Sequence, residues 1–251
     1  MGQIGKLTVG IMIHEAIIGF LYLSLKFTPF MKKYLLFITL FLTFTCTACF
    51  EIVEEVNLNN DGSGSFCFTI NMSQSKLNLN SMLLLDSVNG RPVPKINDLK
   101  VILKKAETKL KEGNITNLNL KENWEAYIFS ISGNFDNIET LNKAINNISA
   151  SFGKFQGMPL KEGDNFSYKD KIFKRLYNYN LVDDYNSLPE KDKIIVKNAK
   201  YTSIYRFNSL VKSFSNPDAL KSKSGKAMML KLNIKDLITN NKSLANSIIL
   251  N

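Results

Sequence analysis

Histidine is almost absent from this chain: His14 is the single one, and none occurs between Cys49 and Asn251. That absence takes the commonest general base away from the long C-terminal part, and with it the Ser-His-Asp and Cys-His nucleophile systems and most zinc sites. His14 stands beside Glu15, as in a zinc-protease helix, but Ile18 occupies the place where a second histidine is required. Phosphate loops are missing too. Gly225-Lys226 lacks the upstream glycine spacing, and Ala227 replaces the hydroxyl residue that would bind magnesium. Asn57, Asn59, Asp61 and Gly62 imitate the start of a calcium loop, yet Phe68 stands where the bidentate glutamate belongs. Charge is not clustered either. The formal net charge is +10, spread along the chain; it suits anionic headgroups or glycans loosely and describes a solvated surface first.

Long apolar runs are scarce, and the one that matters is short. Met31 to Cys49 reads MKKYLLFITLFLTFTCTAC, with Lys32 and Lys33 as a positive start and Tyr34 to Phe44 as an apolar core. A spanning helix needs about 20 apolar residues, so this core falls short of one. The end, Cys46-Thr47-Ala48-Cys49, resembles a bacterial lipobox, in which a small residue precedes a cysteine that takes a diacylglycerol and becomes the new N-terminus. Signal cleavage is thus expected between Ala48 and Cys49, with lipidation on Cys49 and a further acyl chain for stable attachment. Cys46 stands where leucine is usual in that motif. Residues 1–30 read as an upstream segment with a mis-assigned start, 31–48 as a lipoprotein signal peptide and 49–251 as one exported α+β domain. The alternative is a membrane helix over Val9 to Leu25, which would place His14 and Glu15 in hydrocarbon. Removing Cys46 and acylating Cys49 leaves Cys67 alone, so the domain is expected to be held by its hydrophobic core and not by disulfides. No cofactor and no metal are expected besides the covalent lipid, and nucleic acid is not an expected partner outside the cytoplasm.

The exported part alternates in period two and period 3.6. Ile52, Val56 and Leu58 share one strand face, Asn59 to Gly64 carry turn chemistry, and Phe66, Phe68, Ile70 and Met72 share a return face. A short helix is expected around Met82 to Val88, with Gly90 to Pro94 as a break. Asp98 to Glu112 predicts an amphipathic helix with Leu99, Ile102, Leu103, Ala106 and Leu110 on its stripe, closed by Gly113. Ile115 to Leu120 and Trp124 to Gly133 predict a second hairpin turning at Lys121 to Asn123. Asp136 to Ile148 predicts a helix capped by Asp136, with Ile138, Leu141, Ile145 and Ile148 buried. Gly153 to Gly163 reads as a loop, Phe166 to Tyr179 as a long strand or bent pair, and Leu181 to Asp192 as a polar surface loop. Tyr177 and Tyr179 could stack on a sugar or peptide, although aromatics on a sheet face are the favoured reading. Strands follow at Ala199 to Phe207, with Tyr201, Tyr205 and Phe207 on one face and Val211 to Ser215 expected to extend it, and at Ala227 to Asn233 and Ile248 to Leu250, the last at an edge. A short helix is expected from Ile234 to Thr239.

The fold class expected is therefore α+β: a mainly antiparallel sheet of hairpins with two amphipathic helices on one face, the other face free to bind. A short signal ending in a lipidated cysteine, followed at once by a strand, the Asn60-Asp61-Gly62-Ser63-Gly64 turn and an apolar return strand, resembles Bacteroidetes-type lipoproteins of unassigned activity and, more distantly, the LppM-like lipoprotein domain. Asn216-Pro217, Ser222 to Lys226, Ser243-Leu244 and Ile248 to Leu250 resemble the end of that domain. The resemblance implies a lipid-anchored envelope protein without catalytic residues, and Asp86-Ser87-Val88 resembles the O-glycosylation signal of that phylum. Phe50 in place of aspartate after Cys49 points to the outer membrane of a didermic bacterium. Expected partners are the membrane, through the anchor, and an envelope protein or glycan. The competing function is a carboxylate-dependent carbohydrate-active enzyme built on Asp183-Asp184 or Glu54-Glu55, which would need a second acid about 5 to 9 Å away.

Overall fold

Alternating inward apolar residues put two sheets and two long helices around one core. The computed structural model describes residues 50–88, 91–156, 163–176, 182–187, 190, 193 and 198–251. The signal segment, Ala48 and Cys49, and the tyrosines Tyr177 and Tyr179, lie outside the described residues.

Strands β1 (Glu51–Leu58) and β2 (Gly64–Asn71) form the expected hairpin. Strands β3 (Ser87–Val88) and β4 (Arg91–Pro92) make a small ladder of their own. β5 (Thr116–Asn123) and β6 (Ile128–Phe135) form the second hairpin. β7 (Phe166–Lys169) and β8 (Ile172–Arg175) pair as a third. β9 (Lys200–Phe207), β10 (Val211–Phe214), β11 (Leu220–Lys221), β12 (Ala227–Asn233) and β13 (Asn246–Leu250) complete the chain. The larger sheet has seven strands in the order β11-β12-β9-β1-β2-β6-β5, and only β1 and β9 run parallel. The smaller has the order β10-β13-β8-β7, all antiparallel.

The helices are α1 (Lys76–Leu83), α2 (Ile96–Glu112), α3 (Ile138–Gln156), α4 (Val182–Ser187) and α5 (Ile234–Ile238). One face of the seven-stranded sheet, through Val56, Leu58, Phe66, Phe135, Tyr205, Phe207 and Met228, joins a single apolar cluster. Leu110 of α2, with Ile138, Leu141 and Ala144 of α3, covers it towards β2 and β6, while Phe173, Ile248 and Leu250 of the smaller sheet cover it beside them. The α+β expectation holds, with a second sheet added to the two helices on the covered face. α2 and α3 approach at Gly113, where an added Cβ would stand 2.7 Å from the Ala144 Cα. A side chain there would push the helices apart.

Several local readings are corrected. The short helix lies at Lys76–Leu83, and Ser87–Val88 is extended, because Val93 N–H donates to the Asp86 carbonyl and pulls the chain into a ladder. The second hairpin turns at Trp124 to Tyr127 rather than at Lys121 to Asn123: Asn123 accepts the Ala126 N–H, and Tyr127 takes φ 54°. Asn137, not Asp136, caps α3, its Oδ1 accepting the Thr140 N–H at 2.8 Å. α3 continues to Gln156 into the segment read as a loop. Of the two readings of the Phe166 stretch the bent pair holds: it is a hairpin, since Asp170 and Lys171 both adopt positive φ, the geometry a two-residue hairpin turn demands. Val182–Ser187 is helical where a loop was expected. Ile248 is completely buried in a central strand of the smaller sheet, not at an edge.

Candidate functional site

The face of the larger sheet opposite the core is read from strand phase. Ile52, Glu54, Val56 and Leu58 point inward, so Glu51, Val53, Glu55 and Asn57 point outward. Register then aligns whole rows across the sheet. Asn57, Ser65, Asn134 and Thr116 stand side by side on β1, β2, β6 and β5. The next rows are Glu55, Cys67, Ser132, Asn119 and then Val53, Thr69, Ser130, Lys121. Mostly small hydroxyl and amide side chains thus line this face over the β1–β2 hairpin and the β5–β6 hairpin beside it at the sheet edge. Among the described residues the core contacts of α2, α3 and the smaller sheet are all made with the other face.

At the turn end this surface opens into a cleft of about 430 Å³, lined by Asn57, Asn59, Ser63, Ser65, Thr116, Asn134 and Asp136. The wall formed by the β1–β2 turn is pre-organised. Gly62 sits at φ 88°, a left-handed conformation that glycine adopts without strain. Asp61 accepts the Ser63 N–H at 3.0 Å and its hydroxyl at 2.7 Å, bonds that hold its carboxyl below the usual aspartate value. Asn208 and Ser209 pin the same turn by donating to Asn59 at 3.1 Å and Asn60 at 3.0 Å. Asn57 donates to Ser65 across the first row at 2.9 Å. The Asp61 carboxylate that suggested a calcium loop is occupied by Ser63, and no group of metal-ligating side chains occurs among the described residues.

The carboxylates weighed for catalysis are separated. Glu55 faces outward and pairs with Arg206 at 2.6 Å. Glu54, its neighbour, faces inward and is 2 % exposed. Arg175 of β8, 6 % exposed, reaches it from the smaller sheet: Nε and Nη2 donate to the two carboxylate oxygens at 3.1 and 3.0 Å. Tyr205 and Tyr201 donate to the same two oxygens at 2.6 and 2.7 Å. Ser203, directly opposite Glu54 in the parallel ladder, is small enough for both phenols to converge past it. Each Glu54 oxygen therefore accepts one guanidinium and one phenol hydrogen bond. The remaining Arg175 donors meet Asn165 and the Leu176 carbonyl, and the guanidinium lies 4.9 Å from the Phe166 ring centre. Burial is the largest single influence on Arg175 and opposes its charge, but the Glu54 carboxylate and the Tyr201 and Tyr205 oxygens together outweigh it and hold the guanidinium well above its ordinary value. Burial, then the neighbouring Glu54 charge, pushes Tyr201 and Tyr205 well above theirs. This cluster ties the two sheets together. Asp183 lies exposed on α4, and the Asp184 side chain is outside the described residues.

A second cavity, about 400 Å³, is lined by Lys200, Lys231 and Lys242 with Asp218 and Asp236. Three of its five charges are already paired. Lys242 pairs with Asp218, and Lys231 pairs with Glu51 at 2.7 Å. Cys67 is partly buried in its outward row with its sulfur 3.7 Å from the Thr69 hydroxyl, as expected for a small packed residue.

No family model matches the chain, and no curated protein matches it. Among solved structures it is similar to the folded domain of the LppM protein of Mycobacterium tuberculosis, determined by NMR. The two are 10 % identical with a TM-score of 0.41, over 80 % of this chain and 91 % of that one.

Proposed function

We propose that this chain is a lipid-anchored cell-envelope protein, held by diacylglycerol on Cys49 at the outer membrane of a didermic bacterium, and that its domain is a non-catalytic module binding a neutral, hydroxyl-rich ligand such as an envelope glycan. The observation that carries the reading is the polarity of the domain along its sheet. Phe50 enters at the Glu51 end, where its carbonyl accepts the Lys200 N–H, and the polar cleft opens at the far, Leu58 end. A protein anchored at Cys49 would therefore present the cleft away from the bilayer. Side-chain amides, hydroxyls and one carboxylate line it beside Gly64 and Phe135, and the polar groups can both donate to and accept from a polyol. The non-catalytic reading is supported by Glu54, whose oxygens are filled, and by the outward pairing of Glu55 with Arg206.

The test is in two steps. Intact mass of protein extracted from membranes should begin at Cys49 with added acyl chains, and Cys49→Ala should lose them; an unmodified chain retaining Met1 would refute the anchor. Titration with soluble envelope glycan fragments should then give saturable heat that Asn134→Ala weakens about fivefold or more, as expected for about 1 kcal/mol per hydrogen bond lost. Equal binding by Asn134→Ala, Asn57→Ala and wild type would remove the cleft from the proposal.

A further inference from the structure

The Glu51 end of the sheet carries an apolar surface that nothing described covers. Register places Glu51, Asn71, Ile128, Asn123, Lys200 and Asn233 at this one end. α1 leaves from Asn71, and α2 starts here because it runs back along β5 towards Gly113. The elements are pinned to each other. Met72 N–H donates to the Tyr127 carbonyl at 2.9 Å, and the Tyr127 hydroxyl donates to Asn80 of α1 at 2.5 Å. Lys95, at the start of α2, donates to the Leu85 carbonyl and to Asp86, both at 3.1 Å. Lys100 of α2 sits 5.7 Å above the Trp124 ring in the β5–β6 turn.

On this pinned framework stand Leu77 at 82 % exposure, Leu84 at 85 % and Val101 at 67 %, with Leu85 and Ile96 also exposed. Leu77 in the first turn of α1 and Leu84, the helical residue that caps its end, are seven residues apart, two turns, and so share one side. Among the described residues, five of the eleven large exposed apolar ones therefore belong to the stretch from α1 to the first half of α2, a concentration that scattered surface exposure does not produce. Lysines surround them. Lys76, Lys100 and Lys105 make no ion pair among the described residues, whereas Lys104 pairs with Glu107 and Lys95 with Asp86. The acids here are engaged: Asp98 closes the α2 N-terminus by accepting the Lys95 N–H, and Glu122 accepts the Trp124 indole N–H at 2.7 Å. Glu125 in the turn is the remaining exposed acid.

Phe50 and Glu51 separate Cys49 from the body of the first strand. Two extended residues span at most about 7 Å, so a lipid on Cys49 brings this end of the sheet to within reach of the headgroups. We propose that the exposed side of α1 and the first half of α2, around Leu77, Leu84, Leu85, Ile96 and Val101, docks onto an anionic bilayer surface and fixes the orientation of the domain. The inference rests on the anchored reading above. Aliphatic side chains enter the interface, lysines meet the lipid phosphates, and Trp124 with its partly covered ring lies at headgroup depth.

The experiment uses full-length protein processed in its host, purified from membranes and placed in phosphatidylcholine vesicles containing phosphatidylglycerol, with or without brominated acyl chains. An environment-sensitive label is attached to Leu84→Cys or, at the opposite end, to Lys223→Cys, each in a Cys67→Ser background. The Leu84 label should shift to the blue and lose intensity with brominated lipid, as should Trp124, the chain's one tryptophan; the Lys223 label should do neither. Leu77→Ser with Val101→Ser, both at exposed positions, should relieve the Leu84 quenching while the protein still floats with the vesicles. Flotation without quenching overturns docking alone. A label at Leu84 shielded from water but not quenched assigns the surface to a second copy or a protein partner and overturns it as well. Failure to float, with no acyl mass on Cys49, overturns the anchor and this proposal together.

Discussion

Arg175→Met is expected to lower folding stability by about 3–5 kcal/mol in chemical denaturation, because it leaves the Glu54 carboxylate buried between two sheets without its cation. The same number should not return when the cluster is removed as a whole. Glu54→Leu with Arg175→Met deletes both charges, but it orphans the Tyr201 and Tyr205 hydroxyls, which both donate to Glu54. Each unsatisfied buried hydroxyl costs about 1–3 kcal/mol, so this double variant stays destabilised. Adding Tyr201→Phe and Tyr205→Phe removes those donors and should bring stability back to within about 2 kcal/mol of wild type. A loss below about 1 kcal/mol for Arg175→Met alone would mean that solvent reaches Glu54 and that the sheets are not joined there.

The same cluster sets an alkaline limit. Tyr201 and Tyr205 have folded values raised by burial and by the Glu54 charge, so their contribution to stability is complete below the unfolded tyrosine value of about 10. It is lost progressively as pH climbs above that value towards their folded ones, because the unfolded chain releases protons the folded one keeps. The denaturation midpoint should therefore fall above about pH 10, and Tyr201→Phe with Tyr205→Phe should flatten that fall. An unchanged alkaline slope in the double variant would show that other groups cause it.

How much of this was legible from residues alone follows from range. The β1–β2 hairpin was readable because period-two alternation and Asn59 to Gly64 are local signals, and α2 was readable because Leu99 to Leu110 repeat at helical spacing over about three turns. The turn of the second hairpin was not, since Tyr127 looks like a strand aromatic until it is seen at positive φ. Ile248 looked like an edge because nothing near it in sequence announces that β10 and β8 flank its strand. Glu54 had a signal that could have been used. It sits in phase with Ile52, Val56 and Leu58, and a carboxylate on an apolar strand face demands a buried cation. Which cation could not be read: Arg175 lies 121 residues away in another sheet. The outward rows are invisible for the same reason, because Ser65, Asn134 and Thr116 become neighbours only through register.

Phe173 tests whether the two sheets share one core. It is completely buried on β8, stacked on Phe166 with ring centres 5.8 Å apart and meeting Tyr205 and Phe207 of the larger sheet at 5.0 and 5.6 Å. Phe173→Ala should cost about 3–5 kcal/mol through lost apolar burial plus a cavity that the strands on either side cannot close, while Phe173→Leu, which keeps most of the volume, should cost less than about 1.5 kcal/mol. The cavity would adjoin Tyr205, whose hydroxyl holds Glu54, so the loss should couple to that of Arg175→Met: the two together should cost less than their sum by at least about 0.5 kcal/mol. Strict additivity, or two separate transitions in which the Phe173→Ala loss appears in only one, would mean that the smaller sheet is a satellite. A single transition with a large coupled loss is the outcome that one core, bridged by Phe173 in its apolar part and by Arg175 in its charged part, requires.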